Sequence, residues 1–192
     1  MTAYNTIEHN ISEHLQTMEL VSKNLTGTIK EIGALVSNSL AKGGTIFWCG
    51  NGGSAADSQH LAAELVGRYK KNRPPLRSVS LTTDTSVLTC VANDYGYEDI
   101  FARQIEALGR PGDVLLGITT SGNSENVLRA LKMAKSTGIT TIAWLGKDGG
   151  ACKGIADVAL IVPSENTARI QEAHILIGHI LCELIEEELS IV

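Results

Sequence analysis

Apolar residues recur every three to four positions over residues 4–23, at Ile7, Ile11, Leu15, Met18 and then Leu20 or Val21. That is the spacing of a helix with one buried face. A second helix is expected over 26–42, ended by Lys42-Gly43-Gly44, because glycine commonly follows a helix. The pattern then changes. Short apolar runs at Thr45–Cys49, Ser78–Leu81, Val114–Ile118, Thr140–Leu145 and Val158–Val162 read as strands. They alternate with helical stretches at Ser54–Val66, Thr85–Ala92, Phe101–Leu108 and Asn123–Ser136, and a long helix closes the chain over about Thr167–Leu189. Short apolar strands separated by helices predict a parallel sheet covered on both faces, an α/β three-layer sandwich with two extra N-terminal helices. The closing helix carries Ile170, Ile175, Leu176, Ile177, Ile180, Leu181, Leu184 and Ile185 around much of its circumference. Together with the amphipathic leading pair, that apolar surface suits contact between subunits.

Composition narrows the class. The chain has 192 residues, 43% of them hydrophobic, which suits one domain with a real core. No run reaches the roughly 18 apolar residues of a membrane span, and the opening MTAYNTIEHNISEHL lacks the basic and apolar regions of a signal peptide. A formal net charge of −5 without a long basic run argues against binding the phosphate backbone of nucleic acid. Cys49, Cys90, Cys152 and Cys182 are scattered without CxxC spacing, as in a reduced cytoplasmic protein, and Cys49 and Cys90 read as small core residues. The run Lys70-Lys71-Asn72-Arg73-Pro74-Pro75 reads as a solvated polar loop.

Two loops carry candidate chemistry. Gly50-Asn51-Gly52-Gly53-Ser54-Ala55 follows a strand and opens a helix, formally a G-x-G-x-x-A dinucleotide fingerprint. The acidic residue that should follow about 20 positions on is missing, since that region reads Arg77-Ser78-Val79-Ser80-Leu81. A plain tight turn with Ser54 as N-cap is the structural alternative. The second loop, Thr119-Thr120-Ser121-Gly122-Asn123-Ser124, also joins a strand to a helix. Four hydroxyls around a glycine at a helix N-terminus make a cup of donors for a phosphate monoester. It lacks the lysine of a P-loop, which argues against a nucleoside triphosphate. Both loops fall at carboxyl ends of strands, where open parallel sheets bind ligands.

Polar residues stand out on two helices. His60 and Glu64 lie four apart on one helix face, and the closing helix offers Gln171, His174 and His179. Gln171 and His179 are about 80° and roughly 12 Å apart along that helix, so they reach one ion only from either side of it, or from different subunits. A half-exposed polar face and a locally bonded core histidine are the plain readings. Asn93-Asp94, before Tyr95-Gly96, reads as a turn offering a carboxylate, or as an ordinary Asx turn. A phosphate cup beside carboxylate and histidine fits proton transfer on a sugar phosphate, with a divalent ion as a possible Lewis acid.

The set GNGGSAADSQHLAAEL, GRY at 67–69, ANDYG at 92–96, LLGITTSGNS at 115–124, GKDGG at 146–150 and ARIQEAH at 168–174 resembles the phosphoheptose isomerases of the sugar isomerase (SIS) superfamily, nearly end to end. The resemblance implies a flavodoxin-like five-stranded parallel sheet and a single SIS domain over 1–192. In it, 1–42 would be a helical pair used in oligomerisation and 43–192 the α/β core. It implies a cytoplasmic homotetramer with active sites between subunits. The implied reaction converts sedoheptulose 7-phosphate to D-glycero-D-manno-heptose 7-phosphate through an enediol, toward ADP- or GDP-heptose for lipopolysaccharide core or surface glycans. His60, Glu64, Gln171 and His179 fall on zinc-ligand positions, one Zn2+ per subunit, and Glu64 and His179 on the acid–base pair. Asn51, Gly52, Gly53, Ser54, Glu64, Asn93, Asp94, Thr119, Thr120, Ser121, Ser124 and Gln171 fall on substrate positions. Thr167-Ala168 depart from some members, which place an acidic residue just before the Arg-Ile-Gln run. The rival is a non-catalytic SIS protein that binds the replication initiator; it lacks the His60/Glu64 pair and the histidine at 179. A sugar-phosphate-sensing regulatory domain is a third reading, and 192 residues leave no room for the DNA-binding or catalytic domain it usually accompanies.

Overall fold

The computed structural model describes residues 3–189; the extreme ends of the expected 1–192 domain lie outside them. The element order is α1 (Ala3–Ala41), β1 (Ile46–Gly50), α2 (Gly53–Val66), β2 (Ser78–Ser80), α3 (Thr85–Asp94), α4 (Ala102–Leu108), β3 (Val114–Thr119), α5 (Glu125–Ser136), β4 (Thr140–Gly146), β5 (Val158–Val162) and α6 (Thr167–Leu189), with 3-10 turns at Tyr97–Asp99 and Ala151–Gly154. The five strands pair in parallel in the order β2-β1-β3-β4-β5, a doubly wound sheet whose order reverses between β1 and β3.

Alternation along each strand sorts side chains to two cores. Ile46 and Trp48 of β1, Leu116 of β3 and Trp144 of β4 pack with α1, α2 and α6 through Ile32, Leu61, Leu65, Ile170, Ile177 and Leu181. Phe47, Cys49, Leu115 and Ala143 face the other way, against Phe101, Ile105, Val127 and Leu131 of the α3–α5 side. Trp48 and Trp144 meet edge to face at 6.0 Å, and the Trp48 indole N–H donates to Ser78 Oγ at 2.8 Å.

Three expectations need correction. The leading pair is one helix of 39 residues. It runs straight through residues 24–25, where the expected helices part, and Gly27 just beyond does not stop it: a Cβ there would meet nothing within 4 Å, and glycine costs a helix interior only about 1 kcal/mol against alanine. The Val21–Leu25–Ile29–Ile32 side packs into one core with α6 and the sheet across the expected break. Cys90 is exposed rather than in the core, unlike Cys49, Cys152 and Cys182, because α3 buries only Val91. Asn93 and Asp94 form the last turn of α3 rather than a loop.

Gly27→Ala is expected to raise stability by about 0.5–1 kcal/mol, seen as a melting temperature higher by roughly 1–4 °C. His174 is wholly buried and pairs with the Leu145 carbonyl at 3.1 Å. Burial pulls its pKa from 6.5 down to about 4, against a smaller opposing effect of that hydrogen bond. The folded state thus stays neutral where an unfolded histidine takes a proton, so stability is full above about pH 6.5 and falls toward pH 4. The loss is on the order of 3 kcal/mol, and urea unfolding of His174→Gln should show a correspondingly shallower fall over that window.

Candidate functional site

The crevice follows from the reversal between β1 and β3. Each strand ends in a turn that opens a helix, and the two turns stand side by side. At the first, Gly52 has φ +57°, a conformation that disfavours side chains. Cβ atoms at Gly50 and Gly53 would press on Ser54 (2.8 Å) and on the Gln171 amide (2.7 Å). Gly52, not Ser54, is the N-cap of α2, and it makes no side-chain cap bond. Ser54 is buried in the first turn. At the second turn, Thr119 Oγ1 lies 2.9 Å from Ser124 Oγ and 3.4 Å from Ser121 Oγ. Ser124 therefore spends its hydroxyl in the cup instead of capping α5. Thr120 lies half-buried on the same turn. Gly122 has φ +68°, and any Cβ there would collide with the Gly149 carbonyl. The GKDGG segment backs this loop, with Cys152 N–H donating to Gly122 O and Ala151 N–H to Asn123 Oδ1, both at 3.0 Å.

A clamp that gives no sequence signal joins the two turns. Asn51 and Asn126 exchange reciprocal amide hydrogen bonds, both 2.9 Å. Asn126 is buried, and its Oδ1 also accepts from Val127 N–H. The Tyr97 hydroxyl donates to Asn51 Oδ1 at 3.0 Å. At the end of α3 the Asn93 amide donates to Asp94 Oδ1 at 2.7 Å, and both residues are exposed.

Two turns along α2 the polar cluster assembles. His60 Nε2 lies 2.9 Å from His179 Nε2 of α6 and 3.4 Å from Glu64 Oε1. One ligand atom from each of the three falls within 4.8 Å of the others. Two imidazole nitrogens and a carboxylate oxygen converging on one point are the donor set of a divalent transition-metal site, so these residues fit such an ion. His179 is stacked on Tyr69 at 5.5 Å and 15°. The Gln171 amide lies against Gly53 at the head of α2. Asp57, one turn before His60, lies inside the GNGGSAADSQHLAAEL run without an assigned role; burial raises its carboxyl pKa, with His60 opposing. The Lys70–Pro75 loop is not merely solvated: Arg73 is nearly buried, against Glu186 of α6 at 3.2 Å.

The SIS domain family matches residues 10–146 of this sequence. A phosphoheptose isomerase from a Nitratiruptor species is 55% identical over 181 residues, covering 94% of this chain and 97% of that protein. One from Aquifex aeolicus is 58% identical over 159 residues, 83% of each. Among solved structures, a phosphoheptose isomerase from Neisseria gonorrhoeae superposes with TM-score 0.92 at 43% identity, over 97% of this chain and all of that one (100%). One from Francisella tularensis superposes with TM-score 0.95 at 38% identity, with the same 97% and 100% coverage.

Asn126→Ala removes the buried partner of the Asn51 amide and of Val127 N–H. It should lower the unfolding free energy by roughly 1–3 kcal/mol and weaken binding of inorganic phosphate in calorimetry. Unchanged stability and phosphate affinity would show that the clamp holds nothing.

Proposed function

The chain belongs to the SIS-domain family and, within it, to the phosphoheptose isomerases, and from that premise we propose that it interconverts sedoheptulose 7-phosphate and D-glycero-D-manno-heptose 7-phosphate through an enediol. The observation that carries this reading is a distance. Gly53 and His60 are seven residues apart on one helix, about 10 Å. A sugar chain advances about 2.5 Å per two bonds, so an extended heptose 7-phosphate spans about 10 Å from phosphorus to C1. A phosphate held by the glycine turn and the hydroxyl cup thus leaves C1 and C2 near His60, whose Nε2 has His179 at 2.9 Å and Glu64 at 3.4 Å.

The chemistry moves one proton between carbons and one between oxygens. C1 of the ketose loses a proton while the C2 oxygen gains one, giving the enediol; C2 then gains a proton while the C1 hydroxyl loses its own. Glu64 and His179 are the acid–base pair, since each offers a group that both accepts and returns a proton. Asn51, Gly52, Gly53, Ser54, Thr119, Thr120, Ser121 and Ser124 hold the phosphate end, and Asn93, Asp94 and Gln171 take sugar hydroxyls. His60, Glu64 and His179, with Gln171 as a fourth donor, hold a zinc ion, which when bound polarises the substrate oxygens.

The active unit is a cytoplasmic homotetramer. Tyr4, Ile7, Ile11 and Leu15 form a one-sided stripe on α1, each more than half exposed, and Leu176 and Ile180 are exposed on α6. Such apolar surface calls for cover by further copies. The product supplies ADP- or GDP-heptose for lipopolysaccharide core or surface glycans. The His60–Glu64–His179 triad favours this enzyme over the non-catalytic initiator-binding relative.

Purified protein should interconvert the two heptose phosphates in an NMR or coupled assay. Glu64→Gln and His179→Gln should each lower kcat by about 10²–10⁴-fold without changing the oligomeric mass. Full activity in both variants would refute their roles. Rigorous chelation should abolish turnover and added zinc restore it; unchanged activity after chelation would mean the polar residues act without metal.

A further inference from the structure

Glu186 is only 2% exposed, yet it is surrounded by donors. Its Oε1 accepts from Tyr69 N–H at 3.0 Å and from Arg73 Nε at 3.2 Å. Its Oε2 accepts from Lys70 N–H at 3.0 Å and Lys71 N–H at 2.9 Å. Burial works to raise this carboxyl's pKa, but the three backbone donors and the Arg73 charge outweigh it and hold it below the usual range. Successive N–H groups converging on one anion form a nest, the device that elsewhere holds phosphate. Here the chain supplies its own anion.

Arg73 extends the latch. Nη1 donates to Leu65 O at 2.8 Å and Nη2 to Glu64 O at 2.9 Å. Those are carbonyls of the last turn of α2, which have no helical partner. One carboxylate on α6 and one guanidinium thus tie together the end of α2, the 69–73 loop and α6. Glu64 and His179 sit on the two helices so joined. The loop lays the Tyr69 ring flat on His179, 5.5 Å between centroids and 15° between planes. His60 meets the same imidazole edge-on, at 5.2 Å and 79°.

We infer that Tyr69 is a positioning residue for His179, and that the Glu186–Arg73 latch acts by holding the Tyr69 ring against that imidazole. This rests on the proposed roles of His179 in metal binding and proton transfer. The face of the ring does the work, so the hydroxyl is dispensable. A group that fixes the orientation of a ligand histidine affects metal affinity or activity by about 10–100-fold when removed.

The test compares Tyr69→Leu with Tyr69→Phe in the full chain. Tyr69→Leu should lower kcat at least about 10-fold with KM for sedoheptulose 7-phosphate changed less than about threefold, since the phosphate turns are untouched. Zinc titration of the metal-free protein should show about tenfold weaker binding. Tyr69→Phe should restore both. Glu186→Gln should move kcat and zinc affinity the same way and speed amide exchange over 69–73, while the Tyr69 pair decides the question wherever that variant is too unstable to assay. Wild-type kcat and zinc affinity in Tyr69→Leu would overturn the inference. Failure of the wild-type protein to act on the sugar phosphate would instead overturn the proposed reaction, and the zinc titration, which needs no turnover, would still judge the latch.

Discussion

The reciprocal amide pair between Asn51 and Asn126 is the contact on which the crevice depends. Parallel strands β1 and β3 are neighbours at the point where the strand order reverses, so both of their following helices begin on the same rim. Adjacency alone leaves two mobile turns. The 2.9 Å bonds in each direction fix their separation, and the buried position of Asn126 makes the pair costly to open. Glycine does the rest: at Gly53 and Gly122 a side chain would meet the Gln171 amide or the Gly149 carbonyl, so the backbone itself lines the rim.

Helix α6 completes the site from the far end of the sequence. Its buried face, through Ile170, Ile177 and Leu181, packs on the same core as α2. Gly178 makes the approach possible, because a Cβ there would press on Leu61 at 2.6 Å. That close crossing brings His179 to His60 and Glu64. Packing thus sets the chemistry: the small residue beside the histidine determines how near the two helices come.

Much of this is legible in the chain. Apolar runs and their spacing predict the five parallel strands, and both loops are recognisable because glycines and hydroxyls cluster locally. The pattern suggests two helices parted at residues 24–25 where one runs through, because polar Ser22-Lys23-Asn24 interrupt the apolar spacing locally whether or not the helix continues. Cys90 reads as core because its type favours burial, while its helix lies at the edge of the fold. Asn126 and Glu186 stand in no motif, and neither GRY nor the Lys70–Pro75 run shows what Tyr69 and Arg73 touch. Their partners lie far along the chain or are backbone groups: Asn51 is 75 residues from Asn126, and Glu186 binds the Lys71 N–H 115 residues earlier. Such pairings arise only once the sheet has set which ends meet.

A phosphate at the paired turns and the cluster gathered at His60, about 10 Å along α2, together measure out a seven-carbon chain. The direct test is kcat/KM for the 2-ketose phosphates of five, six and seven carbons, with the phosphate on the terminal carbon of each. A shorter chain displaces C1 and C2 by more than an ångström, a misplacement that costs about 10²-fold or more. Sedoheptulose 7-phosphate should lead by at least that factor. Equal or better turnover of the five-carbon substrate would contradict it.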